Sequence, residues 1–271
     1  MTFLQSLLLG TLQGLTEFLP VSSSGHLVLA EHFMGIHFPP ATMMAFDVTL
    51  HAGTLFALFI YFWKTWWTLI QTFFAFLKIP VSKKPSKKDN TLLLILIVAT
   101  LPVIITALLF KDTIDTVFRD PIFVLSFMGI IGIIMFLAEK FPKEKNTKEI
   151  TFWHGLRIGL FEVFALLPGV SRSGTTISTA MFMGIPRAKA AEFSFLLGTP
   201  ALLGATLYIG YEFISGSIQI LPFSIMFTGF ISSFIVSLIC VHWLLQFLKK
   251  HSLRVFSYYL ISISIIGLVF I

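Results

Sequence analysis

Glu17, Ser23, His26 and Arg172 are the residues of this sequence best suited to chemistry, and all four stand inside apolar surroundings. Glu17 follows Gln13 by four positions, so the two share one face of a helix. An ionised Glu at membrane depth costs on the order of 2.5–3.5 kcal/mol, so it is retained for a partner: a metal ion, another cation, or His26. Ser22, Ser23, Ser24, Gly25 and His26 follow Pro20-Val21. They place hydroxyls and an imidazole at a helix start, where free N–H groups and the helix dipole favour an anion. Arg172 stands in Pro168-Gly-Val-Ser171-Arg172-Ser173-Gly-Thr-Thr176. A buried Arg keeps its charge and needs an anion, and its planar fork matches phosphate oxygens. Ser22, Ser24, Ser171, Ser173 and Thr176 can donate hydrogen bonds to the same oxygens; the plainer role for such residues is helix capping. An ion pair of Arg172 with Glu17 or Glu162 is the plainer role for the Arg.

Together these groups suit phosphate chemistry. Glu17, with the Gln13 carbonyl beside it, can hold a divalent cation such as Mg2+ or Ca2+ that bridges phosphate oxygens. Ser23 or His26 can attack, or His26 can protonate the leaving oxygen. A membrane setting makes the phosphate lipid-linked. The same residues also fit an anion transporter. Glu162 is a weaker candidate. Asp47 and Glu192 lie near helix starts, where a carboxylate offsets the dipole, and His51 reads as packing. There is no HExxH, Walker or GxSxG phrase.

The two polar phrases are one phrase repeated. An offset of 149 positions carries Ser22, Ser24 and Gly25 onto Ser171, Ser173 and Gly174, Gln13 onto Glu162, and His26 onto Thr175. A fainter echo links Phe46–Thr54 with Glu192–Thr199. Paired, Gly/Pro-broken segments in corresponding halves point to a binding site at a repeat interface in a membrane protein.

Composition agrees. Of 271 residues, 56% are hydrophobic and 12% charged, with 31 Phe. Charged residues are about half as common as in soluble domains. The spacing predicts full spans over 42–62, 91–110, 121–138, 190–209, 221–244 and 253–271, each near the ~20 residues that cross a bilayer. Segments 3–29 and 152–183 are broken midway and read as re-entrant helical hairpins, buried inside the bundle because irregular backbone cannot face lipid. Residues 65–77 are too short to cross and, with Trp66 and Trp67, read as an interfacial helix. The fold class expected is all-α: a polytopic membrane protein of two inverted repeats, 1–139 and 150–271, with about six spans and two hairpins. Met1–Leu9 has no basic start and does not read as a cleavable signal. The single cysteine, Cys240, excludes a disulfide framework.

Loop charge sets orientation. Five lysines lie in 78–88, four in 140–148, and Lys249, Lys250 and Arg254 form a third cluster. By the positive-inside rule these loops are cytoplasmic, while loops 111–120 and 211–220 are external. The first hairpin then enters from outside and the second from the cytoplasm. The net charge of +6 is read as orientation and lipid-surface charge, not nucleic-acid binding.

Gln13-Gly-Leu-Thr-Glu17-Phe-Leu-Pro-Val-Ser-Ser-Ser-Gly-His26 and Leu167-Pro-Gly-Val-Ser-Arg-Ser-Gly-Thr-Thr176 resemble the two signature motifs of the undecaprenyl-pyrophosphate phosphatases, also known as bacitracin-resistance proteins. Glu192–Pro200 is likewise similar, and the likeness covers essentially the whole chain. It implies a bacterial plasma-membrane enzyme that cleaves undecaprenyl diphosphate to the monophosphate carrier for peptidoglycan synthesis, with an inverted-repeat fold and an external-facing site. It implies Glu17 as the cation-positioning acid, Ser23 or His26 as nucleophile or acid/base, and Arg172 as the diphosphate clamp, aided by Ser171, Ser173 and Thr176. The family's acidic motif is commonly Glu-x-x-x-Glu. Gln13 departs from it and removes one charge from the expected metal site. The expected partners are the polyprenyl diphosphate and membrane lipids, with a homodimer allowed; a flippase for a phosphorylated lipid is the competing reading.

Overall fold

The computed structural model describes residues 1–82, 84–117, 120–140, 149–216 and 218–270. Side chains of 111–117 lie outside that description, as does nearly all of the lysine-rich linker 140–148 that joins the expected halves. Every regular element among the described residues is helical.

Two broken hairpins hold the centre. In the first, α1 (Phe3–Thr16) and α2 (Ser23–Phe33) flank a turn. Thr2 opens α1 with a capping box closed by Gln5, and Ser22 caps α2 by accepting from the Gly25 N–H at 3.2 Å. In the second, α7 (Phe152–Glu162) runs into a 3₁₀ turn (Val163–Leu166), and α8 (Arg172–Phe182) follows. Thr151 opens α7 with a capping box closed by His154, and Ser171 caps α8 by accepting from the Gly174 N–H at 3.0 Å. Both pairs of caps obey the 149-residue offset, so the repeat extends beyond the polar phrases to the helix ends.

The breaks have local causes. Pro20 and Pro168 cannot continue a helix. Ser22 adopts φ +69°, a left-handed conformation unusual for a residue with a Cβ. Gly169 adopts φ +91°, and a Cβ there would lie 2.3 Å from the Val124 carbonyl oxygen, so only glycine fits.

Around the hairpins stand α3 (Pro40–Tyr61), α5 (Lys87–Val117), α6 (Pro121–Lys140), α9 (Arg187–Ile214) and α10 (Phe223–Lys250), all long and apolar enough to cross a membrane. The sixth expected span is α11 (Arg254–Phe270), a shorter apolar helix of 17 residues and about 25 Å. The short helix expected over 65–77 is present as α4 (Trp63–Phe76), which exposes Trp63, Trp67, Phe73 and Phe74 and buries Leu69 and Thr72.

Several boundaries lie outward of the expected ones. α9 starts three residues before position 190 because Pro186 fixes its N-terminus and Arg187 and Lys189 are accommodated in its first turn. It also continues to Ile214, and α5 continues to Val117, so the expected loops 211–220 and 111–120 are shorter than the charge pattern implied.

The packing pairs helices across the halves. α1 lies against α10, and α7 lies against α5. α3 packs on α9, and α6 on α11. Exchanging the halves carries each of these pairings onto another or onto itself, taking α3, α5 and α6 as counterparts of α9, α10 and α11.

Candidate active site

The turn of the first hairpin and the start of α8 meet at Glu17, a residue 6% exposed. Its two oxygens are shared among four side chains. Oε1 accepts from Arg172 Nη2 at 2.8 Å. Oε2 accepts from Ser23 Oγ at 2.8 Å and from Gln13 Nε2 at 2.9 Å. His51 Nε2 stands 3.5 Å from the same Oε2. The site therefore draws on α1 for Gln13, the turn for Glu17, α2 for Ser23, α3 for His51 and α8 for Arg172.

Arg172 is the first residue of α8, a position set by the Ser171 cap. Its other arm lies against α9, where Nη1 is 3.5 Å from the Ser194 carbonyl oxygen. Gly198, one turn further along α9, leaves room for the guanidinium: a Cβ there would lie 1.1 Å from Nη1. Partner and space together aim the fork at Glu17.

The remaining hydroxyls are engaged mainly in holding the hairpins together. Ser173 Oγ donates to the Leu19 carbonyl at 3.2 Å, joining the second hairpin to the first. Ser24 Oγ accepts from the Gly169 N–H at 3.4 Å and lies 3.5 Å from Ser22 Oγ. Ser171 Oγ lies 3.3 Å from Ser173 Oγ. Thr176 Oγ1 donates to the Arg172 carbonyl at 2.8 Å and shares a hydrogen bond with Ser194 Oγ at 2.6 Å.

His26 is near the site but not on Glu17. Its Nδ1 lies 2.8 Å from the Ser22 carbonyl oxygen and its Nε2 lies 2.7 Å from the Tyr259 hydroxyl on α11. The partner that the sequence left open for Glu17 is thus Arg172 with His51, not His26.

Gln13 and Glu162, which correspond in the repeat, are both buried, at 0% and 1% exposure. Among the described residues Gln13 Oε1 and both Glu162 carboxyl oxygens have no hydrogen-bond partner. Glu192 lies apart, on the wall of a cavity of about 540 Å3 between the start of α5 and α9 that also includes Lys87, Lys88 and Lys189.

The donor set decides what a cation would find. Among the described residues no three His, Cys, Asp or Glu side chains gather as a metal cage. Glu17 and the orphan Gln13 carbonyl oxygen offer a partial oxygen shell. That suits a hard ion such as Mg2+, which keeps waters and takes its other ligands from substrate phosphates.

His51, expected to be packing, stands instead beside Glu17, and Tyr259, Ser194 and Gly198 are neighbours of the site that were not named individually as candidates. His51 carried a local signal as a titratable residue in a span one turn after Asp47, and Ser194 and Gly198 lie inside the Glu192–Pro200 stretch.

The chain resembles known proteins along its length. It is 38% identical over 258 residues to an undecaprenyl-diphosphatase of Thermodesulfovibrio yellowstonii, covering 94% of this chain and 92% of the relative. It is 36% identical over 267 residues to undecaprenyl-diphosphatase 3 of Bacillus cereus, covering 98% and 96%. A third relative, an undecaprenyl-diphosphatase of Methanosphaera stadtmanae, is 36% identical over 284 aligned positions, covering 98% and 97%. The family model described as bacitracin resistance protein BacA matches residues 6–266, which include both polar phrases and every residue around Glu17, and the chain belongs to that family.

Proposed function

We propose that this multi-pass membrane protein hydrolyses undecaprenyl diphosphate to undecaprenyl phosphate and inorganic phosphate. The single observation that carries the mechanism is the line Ser23 Oγ–Glu17–Arg172, with both links at 2.8 Å. It couples a nucleophile and its base to the group that binds the substrate.

In the free site the guanidinium is held by Glu17. An incoming diphosphate offers Arg172 a bidentate partner of higher charge. As the fork turns to phosphate, Glu17 loses a cation and becomes a stronger base toward Ser23. Glu17 Oε2 then takes the Ser23 proton while Oγ attacks the terminal phosphorus. The bond from that phosphorus to the bridging oxygen breaks, and undecaprenyl phosphate leaves with the electron pair. Water then attacks the phosphoseryl phosphorus: its hydroxyl stays on phosphorus and its other proton leaves with the inorganic phosphate, while the departing Ser23 Oγ takes back the proton held by Glu17, which ends as a carboxylate. The free N–H groups at the starts of α2 and α8 face the same chemistry with positive partial charge. A divalent cation, held by Glu17 and the Gln13 carbonyl, would supply further charge neutralisation to the phosphate oxygens. This assignment makes Ser23 the nucleophile and Glu17 its base; Ser22, Ser24, Ser171, Ser173 and Thr176 shape the pocket by joining and capping the hairpins.

The same reading makes residues 1–139 and 150–271 inverted repeats in a bacterial plasma membrane, with the site open to the outer face. The exchange of packing partners between the halves and the loop lysines support it.

Phosphate release from undecaprenyl diphosphate by purified protein, with and without EDTA, is the test. Wild-type protein should turn over. Ser23→Ala and Glu17→Gln should each lose at least about 10²-fold in kcat, the scale of acid–base and nucleophilic contributions. Arg172→Lys should lose most activity, because a point charge does not replace the fork. Folded wild-type protein that moves an anion across liposomes without releasing phosphate would make it a transporter.

A further inference from the structure

His26 is left without a task by the Ser23–Glu17 line, yet its surroundings are specific. The Ser22 carbonyl oxygen can only accept, so the 2.8 Å contact places a proton on His26 Nδ1. All proton exchange by the ring must then pass through Nε2. That nitrogen meets the Tyr259 hydroxyl at 2.7 Å. The two rings stack at an interplanar angle of 11°.

Tyr259 reaches His26 from a part of the chain 233 residues away. Its helix is anchored for the purpose: Ser257 and Leu260, either side of it, are fully buried against α6, where Gly132 leaves them room. The two partners differ in access. His26 is 8% exposed, whereas Tyr259 is 44% exposed. A hydroxyl both donates and accepts, so Tyr259 serves the ring in either protonation state. It donates to a neutral Nε2 and accepts from a protonated one.

We propose that Tyr259 is the proton relay of His26, carrying protons between the buried imidazole and phosphate or water oxygens; this rests on the phosphatase reading above. In discharge, the Nε2 proton moves to the Tyr259 oxygen as the tyrosine's own proton passes to a phosphate or water oxygen. His26 ends neutral, Tyr259 ends as it began, and the acceptor gains one proton. Loading is the reverse. His26 thereby supplies the proton that the departing undecaprenyl phosphate or the released inorganic phosphate needs, without leaving its carbonyl anchor.

Tyr259→Phe keeps the stacked ring and removes only the hydroxyl. In weak buffer its kcat should fall about tenfold, within the range of acid–base contributions, with KM and melting temperature unchanged. Added imidazole should restore much of the loss, because a small carrier replaces the relay. In the double variant with His26→Ala, the second substitution should cost nothing further. Unchanged turnover in Tyr259→Phe, a loss that imidazole does not rescue, or additive losses would each overturn the relay. A readout independent of turnover separates this from failure of the phosphatase reading. In 15N-histidine-labelled protein without substrate, at a pH where His26 is protonated, the Nε2 proton should exchange with water about tenfold more slowly in Tyr259→Phe, matching the expected loss in kcat. Equal exchange in the two proteins would also overturn it.

Discussion

Glu17 is over-subscribed: one buried carboxylate answers Arg172, Ser23, Gln13 and His51. Such a group cannot act as a base until one of its donors leaves, and Arg172 is the donor with a better partner in the substrate. The position of the guanidinium therefore matters as much as its charge. Gly198 sets that position, since a methyl group there would overlap Nη1 and Cζ, at 1.1 and 2.1 Å. Gly198→Ala should leave the protein folded, because the obstacle is the end of a flexible side chain, but should displace the fork. An error of about 1 Å in a positioning group costs roughly 10²-fold in turnover, and phosphate-release kinetics on the purified variant would measure it. Wild-type kinetics would show that the fork tolerates displacement. Glu17, Ser23 and Arg172 were legible in the sequence because costly polar groups in apolar runs announce themselves. Gly198, Ser194 and Tyr259 were not, because their meaning lies in contacts between helices far apart in the chain. The hydroxyls of Ser173 and Thr176 were legible as polar and site-forming, but their partners, the Leu19 carbonyl and Ser194, could not be read from spacing.

At the scale of elements, the two turns are what convert apolar helices into a site. Each turn holds a Pro after the end of one helix and starts the next on a capping Ser. The sequence shows the breaks plainly, through Pro, Ser and Gly in runs otherwise long enough to span. It shows the helix ends less well: charged residues such as Arg187 and Lys189 look like loop but fit a first turn outside the apolar zone. The second turn depends on Gly169. An Ala there takes an unfavourable φ near +91° and meets the Val124 carbonyl oxygen at 2.3 Å. The conformation alone costs about 1–3 kcal/mol, and the clash adds to it. Gly169→Ala should thus lower the melting temperature and lose activity together, unlike Gly198→Ala, which should lose activity alone. A Gly169→Ala variant that melts with the wild type would show that the turn has freedom to rearrange.

At the scale of the molecule, the halves are interleaved rather than side by side. α1 of the first half lies on α10 of the second, and α7 of the second lies on α5 of the first. Neither hairpin is therefore covered by its own half alone, and buried irregular backbone demands such a cover in lipid. On the proposed reading, inversion of one half relative to the other would let both hairpin turns meet while entering from opposite faces. The orientation expected from the lysines can be tested by accessibility. Cys240 is buried, 5% exposed, and should give little background to a membrane-impermeant thiol reagent. Ser215 ends α9 and is exposed, and Ser82 lies exposed in the lysine-rich linker before α5. In intact cells Ser215→Cys should label at once, whereas Ser82→Cys should label only after the membrane is opened. The helix between them makes the pair a joint constraint: α9 begins on the lysine side, beside Lys87, Lys88 and Lys189 around one cavity, and ends at Ser215. Labelling of both positions from the same side would contradict a crossing by α9 and remove the inverted arrangement, while a reversed pattern would keep the repeat and turn the active site toward the cytoplasm.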